Sequence, residues 1–356
     1  MRYFSILLIL SLLFSNCAEE ELFGEASRND LWLIHEGAKL PIVVEGNTAS
    51  KIFVILLHGG PGSSAQIFNA EAQTFTDALE QDYAMVYYDQ RNAGLALGEW
   101  NEEKLTIEQH VEDLEKVMDL LLFNYGEEIQ IFLAGHSWGG YLGTAFLLDE
   151  ERQAKVKAWI NINGQINRNR NMADAMSRID SIGQEQINEN INANAWENLL
   201  AEVQVEKNKS INQYDVDSED NVFRLIALAT LQINRDNVID FDSNSPFSSI
   251  FTDNYDPFRI RITNSEERDR TLKIQMYEFD LFIDSNLENI MLPSLSIYGY
   301  YDVTTPFDQG EYFIEKIGTQ EEDKTIVLLN QSGHSSMINE PLDLASEMKI
   351  WIEKYR

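Results

Sequence analysis

Between residues 51 and 162 the chain alternates two hydrophobic patterns. Residues 51–57, 84–88, 129–134 and 156–162 are short, almost unbroken apolar runs rich in Ile, Val and Phe. A strand covered on both faces has no polar side to show, so such runs predict buried strands of a parallel sheet. Over 106–125 the period changes, and Ile107, Val111, Leu114, Met118 and Leu121 fall on one face of a helix. Thr106 and Gln109 form a capping box at its start, and Gly126 ends it. A second helix is predicted over 141–148. Ahead of these elements, apolar stretches 31–35 and 40–44 flank Glu36-Gly37-Ala38-Lys39, a β-hairpin pattern. Strand alternating with helix predicts right-handed βαβ units.

The pattern changes over residues 165–289. Helical segments rich in Asn, Gln and acid, such as 187–205 and 222–233, are joined by loops such as 240–246. Strand patterning resumes at 295–298 and 325–329, and a helix over 341–354 closes the chain. The expected architecture is α/β: a mostly parallel central sheet flanked by helices, built from residues 30–164 and 290–356. A helical cap, residues 165–289, interrupts it.

Charge and cysteine content narrow the function. In 356 residues, 27 Lys and Arg face 59 Asp and Glu, a net charge of −32. Phosphate neutralisation needs clustered cations, so a nucleic-acid partner is not expected, and the acid surplus reads as a solvated, self-repelling surface. The single cysteine, Cys17, excludes an intrachain disulfide and a thiolate metal cluster. It follows Arg2 and an apolar stretch over 3–14, too short to span a bilayer but suited to an export signal. Phe14-Ser15-Asn16-Cys17 resembles a bacterial lipobox. That resemblance implies a signal peptide over 1–17, a diacylated Cys17, a polar tether over 18–29, and an exported protein on the outer membrane, facing periplasm or surface. Membrane contact would then be through the lipid anchor alone. An ordinary signal peptide with an incidental cysteine is the alternative.

Gly135-His136-Ser137-Trp138-Gly139 carries the chemistry, because Gly-x-Ser-x-Gly lies here between a predicted strand and a predicted helix. A nucleophile elbow requires that context. A serine needs a base, and of five histidines only His334 follows a late strand in a loop able to reach back over the elbow. Its imidazole needs a carboxylate, and Asp302 follows the strand at 295–298. Asp280 and Asp284, in the cap, are the alternatives. The order Ser137, Asp302, His334 is that of an α/β-hydrolase. His58-Gly59-Gly60-Pro61-Gly62 follows another strand, and backbone N–H groups of Gly60 and Trp138 are the expected oxyanion donors. This loop has neither the Lys-Ser/Thr of a P-loop nor a dinucleotide fingerprint, and no His-Glu-x-x-His occurs. No cofactor and no metal are expected.

Together with Asp89-Gln90-Arg91-Asn92-Ala93-Gly94, these motifs resemble the proline iminopeptidase group of α/β-hydrolases. The resemblance covers residues 30–164 and 290–356. It implies a serine hydrolase acting through an acyl-enzyme, with a small peptide substrate that loses its N-terminal residue. Asn92 stands where that group usually has Gly, so Asp89 and Arg91 read as structural braces. His136 also departs from the group's elbow. A carboxylesterase or a C–C or lactone hydrolase on the same fold, with a small ester as the alternative substrate, is the alternative, and a silent lipid-anchored binding protein a further one. An exopeptidase must also hold a free α-ammonium. Glu197, beside Trp196, and Glu278, between Tyr277 and Phe279, are the expected cap acids.

Overall fold

The computed structural model describes residues 29–98, 102–209, 219–236, 239 and 265–356. The expected signal peptide, Cys17, nearly all of the tether and the loop at 240–246 lie outside the described residues.

Strands β1 (Asn29–His35) and β2 (Ala38–Gly46) form the expected hairpin with a tighter turn than the pattern indicated. Glu36 and Gly37 have φ of 44° and 79°, so His35 pairs directly with Ala38. A two-residue turn with both φ values positive matches the twist of the strands, which draws Ala38 and Lys39 into β2. Then follow β3 (Ile52–Leu57), β4 (Ala84–Tyr88), the short β5 (Leu97–Gly98), β6 (Gln130–His136), β7 (Trp159–Ile162), β8 (Ser294–Gly299) and β9 (Lys324–Leu329). The sheet runs β1-β2-β4-β3-β6-β7-β8-β9, with β5 against β2. β2 is antiparallel to its neighbours, and from β4 to β9 every pair is parallel.

The described helices are α1 (Ala65–Glu71), α2 (Gln73–Glu80), α3 (Ile107–Tyr125), α4 (Trp138–Leu147), α5 (Arg168–Asn188), α6 (Ala193–Lys207), α7 (Glu219–Arg235), α8 (Ser265–Asn286), α9 (Phe307–Lys316) and α10 (Pro341–Tyr355), with some single turns besides. Alternation along β3 explains its unbroken apolar sequence. Phe53, Ile55 and Leu57 pack with Leu114 of α3, Leu142 of α4 and Phe313 of α9. Val54 and Leu56 face the other way, onto Phe75 of α2 and Met348 of α10.

Between β7 and β8 most described residues are helical, and those of α5, α6 and α7 have a cluster of their own, in which Met172, Ile179, Trp196, Val203, Leu225 and Ile233 join Val303 of the loop after β8, whereas Leu272, Met276 and Ile283 of α8 belong to the sheet core. The segment 187–205 is not one helix. Asn190 and Asn192 sit at φ of 59° and 44°, a left-handed conformation that asparagine tolerates better than most residues. The chain therefore turns there, and α6 packs back on α5.

Asp89 and Arg91 both act as braces. Asp89 accepts hydrogen bonds from Ser64 Oγ and Ala65 N at 2.8 Å and from Leu95 N at 2.7 Å, holding α1 to the loop after β4. Arg91 donates Nε and Nη2 to the two carboxylate oxygens of Asp113, at 2.7 and 2.8 Å, with both side chains buried. Removing one partner of a buried pair strands the other charge. Asp113→Ala is expected to cost about 3–5 kcal/mol of stability. Urea titration checks this, and a loss below about 1 kcal/mol contradicts the brace.

Candidate active site

Ser137 connects β6 to α4 with φ 56° and ψ −119°, a backbone conformation rare for any residue with a side chain. The packing around it fixes that geometry. A Cβ on Gly135 would lie 2.4 Å from Gly139 O, and a Cβ on Gly139 would lie 2.1 Å from Leu57 O. Only glycines allow the strand and helix to approach closely enough to push Ser137 outward. Hydrogen bonds lock the turn: Ser137 O accepts from Gly140 N at 2.9 Å and Gln165 N at 3.0 Å.

Ser137 Oγ is 3.0 Å from His334 Nε2, and His334 Nδ1 is 2.9 Å from Asp302 Oδ2. The three residues come from the ends of β6, β8 and β9, the C-terminal edge of the parallel strands. Asp302 is fully buried, and its Oδ1 accepts Thr304 N at 2.8 Å and Thr305 N at 2.9 Å. Burial alone would push its carboxyl up. His334 beside it and the N–H groups of Thr305 and Thr304 outweigh that, so the carboxyl is held below the usual aspartate value. An ionised carboxylate can only accept, so His334 Nδ1 donates and Nε2 is left to accept the Ser137 hydroxyl.

Sequence reading missed Asn163. At the end of β7, with φ 45°, it donates Nδ2 to Asp302 Oδ2 at 2.8 Å and accepts Ser336 Oγ on Oδ1 at 2.7 Å. The one signal was its place in Asn163-Gly164, a turn directly after a strand.

The other histidines have separate roles. His58 Nδ1 faces Gly59 O at 2.8 Å, and its Nε2 accepts Gln90 N at 3.1 Å. His110 Nδ1 lies 2.7 Å from Thr106 O, and His35 Nδ1 lies 2.8 Å from Asp113 Oδ1. His136 stands closest to the site: its Nε2 donates to His334 O at 2.9 Å, and the two rings lie 4.9 Å apart. Burial, then the neighbouring His334, push its pKa down to about 3, so it is neutral.

Gly59 and Gly60 line a cavity of about 270 Å³ together with Ser137, His334, Phe68 and Glu71. A Cβ on Gly59 would come within 3.1 Å of Ser137 Cβ, so this loop lies directly against the serine. Trp138 N–H belongs to the first turn of α4, where no intrahelical acceptor exists. The Trp138 indole is buried and donates to Gln90 Oε1 at 2.7 Å.

Neither expected cap acid faces this cavity. Glu197 and Glu278 are both exposed, and neither lines it. Successive helix residues are about 100° apart, and in each case the aromatic neighbour takes the inward position. Trp196 is buried and donates Nε1 to Asp236 Oδ2 at 2.7 Å, while Tyr277 donates its hydroxyl to Glu219 at 2.7 Å. Asp280 is also accounted for elsewhere: it accepts Arg168 N and Asn169 N at 2.9 Å and Tyr141 Oη at 3.2 Å, at the start of α5. Asp284 accepts Asn167 Nδ2 at 3.0 Å and Tyr312 Oη at 2.7 Å.

The sequence profile of the alpha/beta hydrolase fold matches residues 52–341. The chain belongs to this family. Among relatives of this α/β-hydrolase are the probable aminopeptidase YbaC of Bacillus subtilis and the proline iminopeptidase of Lactobacillus delbrueckii subsp. bulgaricus. The first is 31% identical over 29% of the chain and 32% of the relative, and the second 32% identical over 33% and 37%. The chain thus matches about a third of the length of these relatives. The crystal structure of VinJ superposes with a TM-score of 0.55 over 92% of this chain and 99% of that one, at 19% identity, a likeness of fold.

The depressed pKa of Asp302 links the site to stability. Ionised Asp302 stabilises the fold above its unfolded-state pKa of about 3.9, and that contribution is lost as pH falls through the lower folded value. Denaturant titrations of the wild type and Asp302→Asn are expected to differ most above about pH 5 and to converge as pH drops towards 4 and below. A pH-independent difference contradicts the assignment.

Proposed function

We propose that this α/β-hydrolase is a serine hydrolase acting through an acyl-enzyme. The observation that carries the reading is the hydrogen-bonded chain from buried Asp302 through His334 to Ser137 Oγ, at 2.9 and 3.0 Å. In this mechanism Ser137 Oγ attacks the substrate carbonyl while His334 Nε2 takes its proton. Asp302 holds the imidazole in the required tautomer and stabilises the imidazolium. Backbone N–H groups of Gly60 and Trp138 take the negative charge on the tetrahedral oxygen. His334 then protonates the leaving group, and water activated by the same nitrogen releases the acyl group and restores Ser137.

The substrate class in this proposal is a short peptide with a free N-terminus, cleaved after its first residue as by a proline iminopeptidase. Support comes from the motif set around residues 58–62, 89–94 and 135–140, from the aminopeptidase and proline iminopeptidase relatives, and from a cavity below the ≈ 300–1,000 Å³ of pockets for drug-sized ligands. The outward placement of Glu197 and Glu278 favours a second reading, a carboxylesterase, which needs no acid for an ammonium. The proposal also includes export and lipid attachment at Cys17, as the lipobox-like sequence implies. Cys17→Ser is expected to abolish labelling by a palmitate analogue in the producing bacterium, and an unlabelled wild type contradicts the anchor.

Ser137→Ala and His334→Ala are each expected to lower kcat roughly 10⁴-fold or more with the fold intact. Alanine 4-nitroanilide and 4-nitrophenyl acetate report the two substrate classes. Retention of most activity by either variant contradicts the mechanism. Cleavage of the acetate alone replaces the peptidase with the esterase.

A further inference from the structure

The cavity over Ser137 holds one carboxylate among its lining residues, and that carboxylate belongs to Glu71, at the last position of α1. No Lys or Arg is among the described residues that line the cavity. Glu71 is half-buried, and among the described residues its carboxylate has no hydrogen-bond or ion-pair partner. Burial alone pushes its carboxyl up, with no cation or N–H to offset the lost water. The protein's other half-buried acids mostly have partners: Glu45 accepts Asn69 Nδ2, and Glu80 accepts Tyr87 Oη at 2.8 Å.

The rest of the wall defines what could sit beside this acid. Phe68, Ala72, Met337 and Ile338 give it an apolar side, Ser63, Ser335 and His334 a neutral polar one, and Ser137 is part of the lining. His136 adds a second acceptor: with Nε2 donating to His334 O and the ring neutral, Nδ1 carries the lone pair, on the side towards Gly59. A small, partly apolar cavity with acceptors and no Lys or Arg among its described lining residues suits a group that carries positive charge and donates hydrogen bonds. An ammonium meets both requirements.

We infer that Glu71 is a specificity-determining residue, binding the free α-ammonium of a substrate whose carbonyl lies at Ser137 Oγ. This rests on the proposed serine-hydrolase reading, and it assigns to a core helix the task the sequence pattern had given to cap glutamates. The ammonium of an aminoacyl group is two bonds from the carbonyl carbon, so nucleophile and anchor must share one small cavity, as Ser137 and Glu71 do. The charge of Glu71, without a partner among the described residues, would be compensated on binding.

The test compares alanine 4-nitrophenyl ester with its N-acetyl counterpart, which share a leaving group and differ in the ammonium. The wild type is expected to prefer the free amine. Glu71→Gln is expected to lower the free-amine to acetyl ratio of kcat/KM at least tenfold, chiefly through KM, and Glu71→Asp to restore part of it. A ratio that does not move, or equal losses on both esters, overturns the inference. Alaninamide and N-acetylalaninamide as inhibitors of the wild type give a measurement needing no variant at position 71: preference for the amine is expected, and equal inhibition overturns the inference. Failure to cleave alanine 4-nitroanilide, with the ester preference intact, removes the peptidase reading and leaves Glu71 in place. Loss of ester cleavage by the wild type removes the hydrolase reading itself, and alaninamide titrated calorimetrically against wild type and Glu71→Gln then decides Glu71 alone, with equal affinities overturning it.

Discussion

A buried anion organises this molecule. The Asp302 carboxylate is out of contact with solvent, and an isolated charge there would be too costly to keep. It persists because donors reach it from separate parts of the fold: Asn163 at the end of β7, Thr304 and Thr305 in its own loop, and His334 after β9. The requirement to satisfy one carboxylate therefore fixes where three strand-end loops meet. His334 is the donor that joins this anion to Ser137, since a ring that donates at Nδ1 must offer Nε2 to Ser137.

The second constraint is steric. Ser137 adopts positive φ because β6 enters and α4 leaves at close quarters, and the contacts around Gly135 and Gly139 leave no room for side chains. The backbone strain is supported by the sheet on one side and by Trp138, stacked on Tyr141 at 5.7 Å between ring centroids, on the other. Strain of this kind persists only where surrounding packing over-determines it. Helices α5, α6 and α7 approach the site separately. Their own apolar cluster reaches the core at Val303, one residue beyond Asp302, and Thr230, Ile233 and Asn234 of α7 line a second cavity that includes His334.

Much of this was legible in the sequence, for identifiable reasons. The continuous apolar runs of β3, β4 and β6 are unambiguous because both faces of those strands are covered. Ser137, Asp302 and His334 were legible because each follows a strand, so the topology carries them to one edge. Other features were hidden where the deciding information is three-dimensional. α1, seven residues long, is too short to display a period, and Glu71 within it has no motif around it. Which face of a helix between β7 and β8 points inward depends on partners such as Asp236 for Trp196 and Glu219 for Tyr277, and the sequence does not pair them. The break at Asn190 and Asn192 was obscured by the density of asparagine around it.

The proposed role of Ser137, a nucleophile activated by His334, is tested most directly by covalent capture. Native protein treated with a fluorophosphonate and analysed by intact mass and peptide mapping should carry one adduct, located on Ser137, and His334→Ala should slow its formation by orders of magnitude. An unmodified protein, or an adduct on another residue with Ser137 free, would contradict the account.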